Sequence, residues 1–357
     1  MSISEKKNTS GKKYGKKVMI ASASAIVGFS VLSILAVSFV CQSVIIRPQN
    51  YTSCLAPVYS ESDAKSYPRK EIEFCSDSDT LNGYIYGEGN TNGIVLVIHG
   101  MNSSSAHHLP EIKFFVDNGW VVFGFDGCDE NRRCANILIQ LSRDVSSAIE
   151  YLQSSNEYRS MPIVLFGHSL GAYAASCVLG EYPSVRSAVC ISGFNSPTET
   201  MKYFSEKYVG KLAVVSYPYV QLYNFITYGT DSMVTAVDGI NSTDKPVFIV
   251  CGDDDSVIPY ELSILSHRDK ITNPNVRYLL IDSEYRNGHS NSWLSREAGE
   301  YLNEMTEELE SLDAHYSGDI PDDEEQRFVQ ALDTDLLSEL DYDFMNEVNN
   351  FFIDSLK

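Results

Sequence analysis

Short apolar runs alternate with amphipathic stretches from Glu71 to Ile281. Runs of four to six residues rich in branched apolar side chains are typical of strands that are buried on both faces of a sheet. Such strands are predicted at Ile94–Ile98, Val121–Phe125, Ile163–Phe166, Ser187–Ile191, Val247–Val250 and Val276–Ile281, preceded by Glu71–Phe74 and Tyr84–Tyr86, and helices at Leu109–Asn118, Ser142–Gln153 and Leu170–Leu179. This alternation predicts an α/β fold in which helices cover both faces of a mostly parallel central sheet.

The N-terminal region contains the one stretch long enough to cross a bilayer. Val18–Ile46 has 29 residues and no charge, whereas a spanning helix needs about 20. Six lysines lie before it, within residues 1–17, and only Arg47 follows closely. By the positive-inside rule this predicts a single-pass anchor in the cell membrane, with a cytoplasmic N-terminus and an extracellular domain. The alternative is a cleaved signal peptide, whose apolar core would span only about 7–15 residues.

The charge distribution narrows the possible partners. The net charge is −21; residues 1–17 carry +5, so the other residues carry −26. Nucleic acid is therefore not expected as a partner, because binding phosphates requires a basic surface. From Glu300 onward there are 18 acids against two bases, which is typical of a solvated surface. Within this acidic stretch, Asp343–Leu356 has an apolar stripe and is predicted to form a helix that docks onto the domain. The alternative, binding to a membrane surface, would favour basic residues on the polar face, which here carries acids.

The eight cysteines indicate no metal site. No pair or Cys/His cluster has the spacing of zinc ligands. Cysteines in predicted loops or strand ends are open to oxidation outside the cell, and those in apolar stretches are expected to be buried thiols. The first group is Cys54, Cys75, Cys128 and Cys134, and the second is Cys177, Cys190 and Cys251.

A candidate nucleophile lies after the third buried strand, where Gly167-His168-Ser169-Leu170-Gly171 leads into a small-residue helix. A Gly-x-Ser-x-Gly turn between a strand and a helix holds its serine in a sharp corner with the hydroxyl exposed above the sheet. Gly167 and Gly171 leave space where a Cβ would clash with the neighbouring strand and helix. This motif predicts that Ser169 attacks the substrate.

A serine nucleophile needs a base and an acid that orients the base. Of the seven histidines, His289 is the best placed, because it follows the last strand in a turn-prone loop. His168 is expected to pack beside the serine and His99 to support the loop after the first buried strand. The remaining four, His107, His108, His267 and His315, are interpreted as surface residues. The acid is expected after strand Val247–Val250, where Asp253, Asp254 and Asp255 are all candidates.

The oxyanion hole requires two backbone N–H groups that point to one place. The residue after the nucleophile, Leu170, is expected to supply one of them. The loop after the first buried strand is expected to supply the other, from Met101, because Gly100 allows a tight turn there.

Four motifs occur in a fixed order: IVLVIHG at Ile94–Gly100, GHSLG at Gly167–Gly171, CGDDDSVIP at Cys251–Pro259 and NGHSNSW at Asn287–Trp293. With them the sequence resembles the α/β-hydrolase superfamily, in particular bacterial N-terminally anchored serine hydrolases near the serine aminopeptidase and lysophospholipase groups. The resemblance implies that Asp255 is the acid and that no cofactor is needed. It also implies a hydrolase domain at 71–310 with a cap at 194–245, after a linker at 47–70 and before an acidic extension at 311–357.

The expected function is hydrolysis of a carboxylic ester, thioester or amide through an acyl-enzyme on Ser169. A serine peptidase with the same triad is the nearest alternative, and a non-catalytic binding protein on the same fold is a further one. The expected substrate is a small molecule or a peptide, and the sequence does not fix the oligomeric state.

Overall fold

The computed structural model describes residues 3–40, 55, 57, 59–127, 136–211 and 213–357. They form two compact units. The first unit contains the central sheet and consists of Pro48–Thr200 and Thr230–Lys357, and the second consists of Met1–Arg47 and Met201–Gly229. Cys54, Cys128, Cys134 and the start of the predicted linker lie outside the described residues.

An eight-stranded, mostly parallel sheet forms the centre of the first unit. The strand order is β1-β2-β4-β3-β5-β6-β7-β8, and only the β1–β2 and β2–β4 pairs are antiparallel. The α/β-hydrolase fold predicted from the motifs is confirmed. The strands are β1 (Arg69–Ser76), β2 (Asp79–Tyr86), β3 (Ile94–Ile98), β4 (Val121–Phe125), β5 (Ile163–His168), β6 (Val185–Ile191), β7 (Val247–Gly252) and β8 (Val276–Ile281).

Helices cover both faces of this sheet, and further helices follow its last strand along the chain. They are α2 (Glu61–Ser66), α3 (Leu109–Asp117), α4 (Ile137–Ser154), α5 (Leu170–Val178), α8 (Ala236–Asn241), α9 (Arg296–Tyr316), α10 (Asp322–Ala331), α11 (Thr334–Leu337) and α12 (Tyr342–Ser355). Short 3₁₀ turns lie at Ser105–His108, Gly229–Met233, Tyr260–Leu262 and Leu265–Lys270. Helix α4 begins five residues earlier than the apolar pattern predicts, because the Asn136 side chain accepts a hydrogen bond from the Leu138 N–H and caps it.

The terminal helix α12 packs into the main hydrophobic core, as its apolar stripe predicts. Phe344, Met345, Val348 and Phe352 are all buried there together with residues of β3 and β5. The Phe352 ring contacts the rings of Phe115 and Trp120. The end of the acidic extension is therefore an integral part of the sheet's packing.

The described residues of the second unit form α1 (Ile3–Val40), the part of α6 (Pro197–Val209) from Met201 onward, and α7 (Ala213–Tyr228). Within α1, the 20 residues Tyr14–Ser33 are long and apolar enough to cross a membrane, with a mean hydropathy of 1.4. Helix α1 contacts α7 inside this unit.

The cysteines within the described residues are free thiols. Cys75 is exposed, whereas Cys177, Cys190 and Cys251 are buried, as their apolar surroundings predict. Burial raises the pKa of the Cys177 and Cys190 thiols to about 12. These two side chains therefore remain protonated at neutral pH and act as small apolar residues.

Candidate active site

Ser169 occupies the sharp corner between β5 and α5. Its backbone has φ 54° and ψ −117°, a conformation that is rare for residues with a side chain. A Cβ at position 167 would overlap the backbone of Gly171, and a Cβ at position 171 would overlap the Ile98 carbonyl of β3. The two glycines therefore let the turn close against both the helix and the neighbouring strand.

A chain of hydrogen bonds joins the three residues that the motifs single out. His289 Nε2 lies 3.0 Å from Ser169 Oγ, and His289 Nδ1 lies 2.7 Å from Asp255 Oδ2. The other oxygen of this carboxylate accepts hydrogen bonds from the backbone N–H groups of Val257 and Ile258, at 2.9 and 2.8 Å. The carboxylate is buried and fixed, so it can hold the imidazole in the tautomer that presents an unprotonated Nε2 to the serine.

The two neighbouring aspartates have surroundings different from those of Asp255. Asp253 and Asp254 are exposed, whereas Asp255 is 8% exposed. Asp253 Oδ1 accepts a hydrogen bond from the Asn287 side chain at 2.7 Å. The Asp254 N–H donates to the Asn287 carbonyl. These two residues shape the turn, and Asp255 alone reaches His289.

The two expected oxyanion donors belong to segments that meet at the serine. Leu170 is the first residue of α5, where backbone N–H groups have no acceptor within the helix. The loop after β3 passes close to the nucleophile, since a Cβ at position 100 would lie 3.1 Å from Ser169 Cβ. Met101 is the next residue in that loop.

His168 is tied to the backbone of the candidate base. Its Nε2–H donates to the His289 carbonyl at 2.9 Å, and its ring packs edge-on against Trp293 with 4.8 Å between ring centroids. Burial, with the nearby His289 adding to it, holds the pKa of His168 well below its usual 6.5. A neutral imidazole therefore links the end of β5, one residue before Ser169, to the loop that carries His289.

His99 supports the loop after β3, as the sequence predicts. Its Nε2 accepts a hydrogen bond from the Gly127 N–H at 3.0 Å, so Nδ1 carries the proton and donates to the Gly100 carbonyl at 2.7 Å. Burial lowers the pKa of His99. This neutral side chain fixes the turn that leads to Met101.

The interpretation of His108 as a surface residue is wrong. His108 is 2% exposed and lies 3.3 Å from the carboxylate of Glu111, which is fully buried. Its ring contacts His168 and Trp293. His108 Nε2 and Glu111 Oε2 have no hydrogen-bond partner among the described residues. The sequence did contain one sign of this pairing. His108 and Glu111 are three residues apart at the start of a helix, a spacing that places both side chains on one face.

His107 is half-buried, although it too was interpreted as a surface residue. Its Nδ1 accepts hydrogen bonds from the Ser103 hydroxyl at 2.7 Å and the Ser104 N–H at 3.3 Å. Burial lowers the pKa of His107 to about 4. His107 therefore serves as a neutral cap for the turn before α3.

The segment before α12 holds the loop that follows β8. Leu294 and Leu340 form a β-bridge, and the Asp341 N–H donates to the Trp293 carbonyl at 2.9 Å. The side chains of Arg286 and Asp341 form an ion pair and are about four-fifths buried. Sequence reasoning missed this arrangement, because partners 55 residues apart leave no local pattern.

The part of the chain that the structure describes contains no group of three or more His, Cys, Asp or Glu side chains that could hold a metal ion. The chemistry that this site can carry out with its own residues is a nucleophilic attack by a serine hydroxyl, with proton transfer to a histidine.

Comparisons with known proteins agree with the fold and the motifs. The family model described as serine aminopeptidase, S33, matches residues 89–227. No curated protein matches the chain by sequence. Among solved structures, an esterase from Pyrococcus furiosus is 21% identical with a TM-score of 0.51, over 72% of this chain and 96% of that one.

Two further solved structures are less similar. The 2,6-dihydroxy-pseudo-oxynicotine hydrolase is 18% identical with a TM-score of 0.49, over 72% of this chain and 70% of that one. The acylaminoacyl peptidase of Pyrococcus horikoshii is 12% identical with a TM-score of 0.47, over 63% of this chain and 38% of that one. The sheet topology, the motifs in their order and the family match over residues 89–227 lead to one conclusion: the chain has the α/β-hydrolase fold and is a hydrolytic enzyme.

Proposed function

We propose that the chain is a serine hydrolase with Ser169 as nucleophile, His289 as general base and Asp255 as the acid that orients the base. The observation that carries this proposal is the continuous hydrogen-bonded series from Ser169 Oγ through both nitrogens of His289 to Asp255. The distances of 3.0 and 2.7 Å lie within the range that proton transfer in such a triad requires.

In the proposed reaction, Ser169 Oγ attacks the substrate carbonyl carbon while His289 Nε2 takes the hydroxyl proton. The carbonyl oxygen becomes an oxyanion, and the N–H groups of Met101 and Leu170 donate to it. When the tetrahedral intermediate collapses, the bond to the leaving group breaks and the leaving group takes the proton from His289. Water then attacks the acyl-enzyme by the same steps, which releases the acid product and restores Ser169.

The test is labelling by a fluorophosphonate probe, which reacts with activated serines, followed by identification of the labelled peptide. We expect the label on Ser169 and its loss in Ser169→Ala, together with loss of p-nitrophenyl ester hydrolysis. Ser290→Ala is the matched control, because Ser290 is an exposed serine next to His289. Label or turnover that persists in Ser169→Ala would show that another residue is the nucleophile.

The proposed substrates are carboxylic esters, thioesters or amides of small molecules. Peptide substrates form the second candidate class, which the serine aminopeptidase family match favours. The experiment that separates them compares kcat/KM for p-nitrophenyl esters of increasing chain length with that for aminoacyl p-nitroanilides. Higher kcat/KM for the anilides would assign peptidase activity, and turnover of esters alone would assign esterase activity.

The chain is further proposed to be anchored in the cell membrane by α1, with its N-terminus in the cytoplasm and the sheet-containing unit outside. The apolar stretch Tyr14–Ser33 supports the anchor. The six lysines within residues 1–17, before this stretch and in its first turn, support the orientation. Protease added to intact spheroplasts should digest the sheet-containing unit. Full protection until the cells are lysed would reverse the proposed orientation.

A further inference from the structure

Helix α7 presents an apolar and uncharged surface. We propose that this helix, with the lysine-bearing segment before it, lies on the surface of an anionic lipid bilayer next to the anchor. The 16 residues of α7 include no Asp, Glu, Lys, Arg or His. Leu222, Phe225 and Ile226 are 50%, 48% and 75% exposed. Their spacing of three and four residues places them on one face of the helix.

The position of α7 beside α1 indicates that a lipid bilayer covers the apolar face of α7. The two helices are in contact and belong to the same compact unit. The apolar side chains of α1 are themselves exposed, including Ile20, Val27 and Leu32 at 55%, 63% and 67%. One unit therefore combines a membrane-crossing stretch with a second exposed apolar helix. This proposal rests on the anchoring of α1 that is part of the proposed function.

Charge separates this unit from the rest of the chain. Met201–Gly229 has Lys202, Lys207 and Lys211 against Glu206, a net charge of +2, and Met1–Arg47 has a net charge of +6. The second unit thus carries a net charge of +8 and the sheet-containing unit a net charge of −29. Together they give the net charge of −21. Each of the three lysines is exposed. Lysines beside an apolar helix suit the anionic headgroups and acyl chains of a bilayer.

The experiment introduces a tryptophan, whose indole is fluorescent, on the apolar face of α7. The full-length protein is reconstituted into vesicles of phosphatidylglycerol and phosphatidylcholine. Both native tryptophans are buried, Trp120 at 0% and Trp293 at 7% exposure, and so lie out of reach of lipid. In Ile226→Trp, lipids brominated near the headgroup end of the acyl chain should quench the new indole. The matched control is Leu280→Trp, at an exposed apolar position of the sheet-containing unit, 45% exposed. Its indole should not be quenched.

Charge reversal tests the contribution of the lysines. Adding Lys202→Glu and Lys207→Glu to Ile226→Trp should reduce quenching in phosphatidylglycerol vesicles, and should change it little in vesicles of phosphatidylcholine alone. These lysines lie outside the proposed catalytic residues, so hydrolysis of a soluble short-chain ester should stay unchanged.

Each outcome gives a decision. Vesicle flotation is measured first, and a full-length protein that does not float with the vesicles overturns both the anchor and the bilayer surface. If the protein floats but the Ile226→Trp indole is unquenched and has the emission of an indole in water, the proposed contact of α7 with the bilayer is wrong. The proposed anchoring by α1 is then unaffected. An indole that is unquenched yet blue-shifted indicates that a second copy of the chain covers α7, which also overturns the proposal. None of these readouts depends on the identity of the nucleophile.

Discussion

Arg286, three residues before His289, is ion-paired with Asp341, which caps the terminal helix α12. A second donor of the same guanidinium reaches the Ser292 carbonyl at 3.2 Å. One arginine thus connects both sides of the His289 loop to the start of α12. Since α12 is packed in the core, the acidic extension fixes the position of the proposed base.

We predict that Asp341→Asn lowers both stability and kcat while leaving KM little changed. An amide can still cap the helix, where Asp341 accepts from the Phe344 N–H at 2.9 Å, so the substitution removes mainly the charge. Loss of this mostly buried pair should cost roughly 1–3 kcal/mol, between the values for exposed and buried pairs. Thermal unfolding gives the stability, and steady-state ester hydrolysis gives kcat and KM.

The matched control for this prediction is Glu284→Gln. It breaks the Arg296–Glu284 pair of the same region, whose side chains are 55% and 70% exposed. Solvent screens such a pair, so the free energy of unfolding should change by less than about 1 kcal/mol. Equal effects of the two substitutions, or a rise in KM without a fall in kcat, would refute the positioning role of Asp341.

For the acid, we predict that Asp255→Asn lowers kcat far more than Asp253→Asn or Asp254→Asn. The asparagine amide would present an N–H to His289 Nδ1 and so stabilise the wrong tautomer, which costs about 10⁴ in rate in serine proteases. Asp253 and Asp254 are exposed and serve as controls. Pre-steady-state measurement of the acylation rate checks the effect, and similar small losses at all three positions would assign the acid elsewhere.

The pKa of His168 gives a pH-dependent prediction. Because this pKa is lower in the folded chain than the usual 6.5, the folded state binds fewer protons below pH 6.5 than the unfolded state. The free energy of unfolding should therefore fall as the pH decreases below about 6.5, and this histidine should contribute no pH dependence above it. Protonation would place a charge beside His289, His108 and His99, all of which oppose it.

His168→Gln tests this prediction, since glutamine retains an N–H donor for the His289 carbonyl but cannot titrate. Urea unfolding at pH 7 and pH 5 should show a smaller decrease in stability for His168→Gln than for the unchanged protein. His168→Leu removes the donor as well and should lower kcat, whereas His168→Gln should retain most of it. An identical pH dependence in all three proteins would mean that His168 does not titrate as inferred.

The sequence was sufficient to predict the fold and the place of the candidate site, for local physical reasons. Buried parallel strands are continuous apolar runs, and a serine in a strained strand-to-helix corner needs small neighbours such as Gly167 and Gly171. The hairpin β1–β2 was predicted too short. It pairs residues from Arg69 to Tyr86 along an exposed edge, where polar residues outside the predicted strands, such as Lys70, Thr80 and Asn82, interrupt the apolar pattern.

The features that periodicity could not predict depend on contacts between distant parts of the chain. Asp255 differs from its two neighbours in its burial and in the hydrogen bonds of its carboxylate. The single sequence gives no sign of this difference beyond the family resemblance. The ring of His108 is covered by those of His168 and Trp293, which follow many residues later. Polar residues of this kind are interpreted as exposed unless their partners are known.

The final prediction concerns the terminal helix. Phe352 is fully buried, and its ring lies 5.8 Å from that of Phe115 and 6.1 Å from that of Trp120, between ring centroids. Phe352→Ala should therefore create a cavity and lower the free energy of unfolding by about 3–5 kcal/mol. Asn350→Ala, at an exposed position of the same helix, should change it by less than about 0.5 kcal/mol.

Urea unfolding measured together with ester hydrolysis checks this prediction and shows how the helix acts. Because Asp341 caps α12 and is ion-paired with Arg286, loosening the helix should also free the His289 loop. In Phe352→Ala, hydrolysis should therefore be lost at lower urea concentration than the folded signal of the sheet. Simultaneous loss of both signals would mean that helix and sheet unfold as one unit, and an unchanged stability would place α12 outside the core.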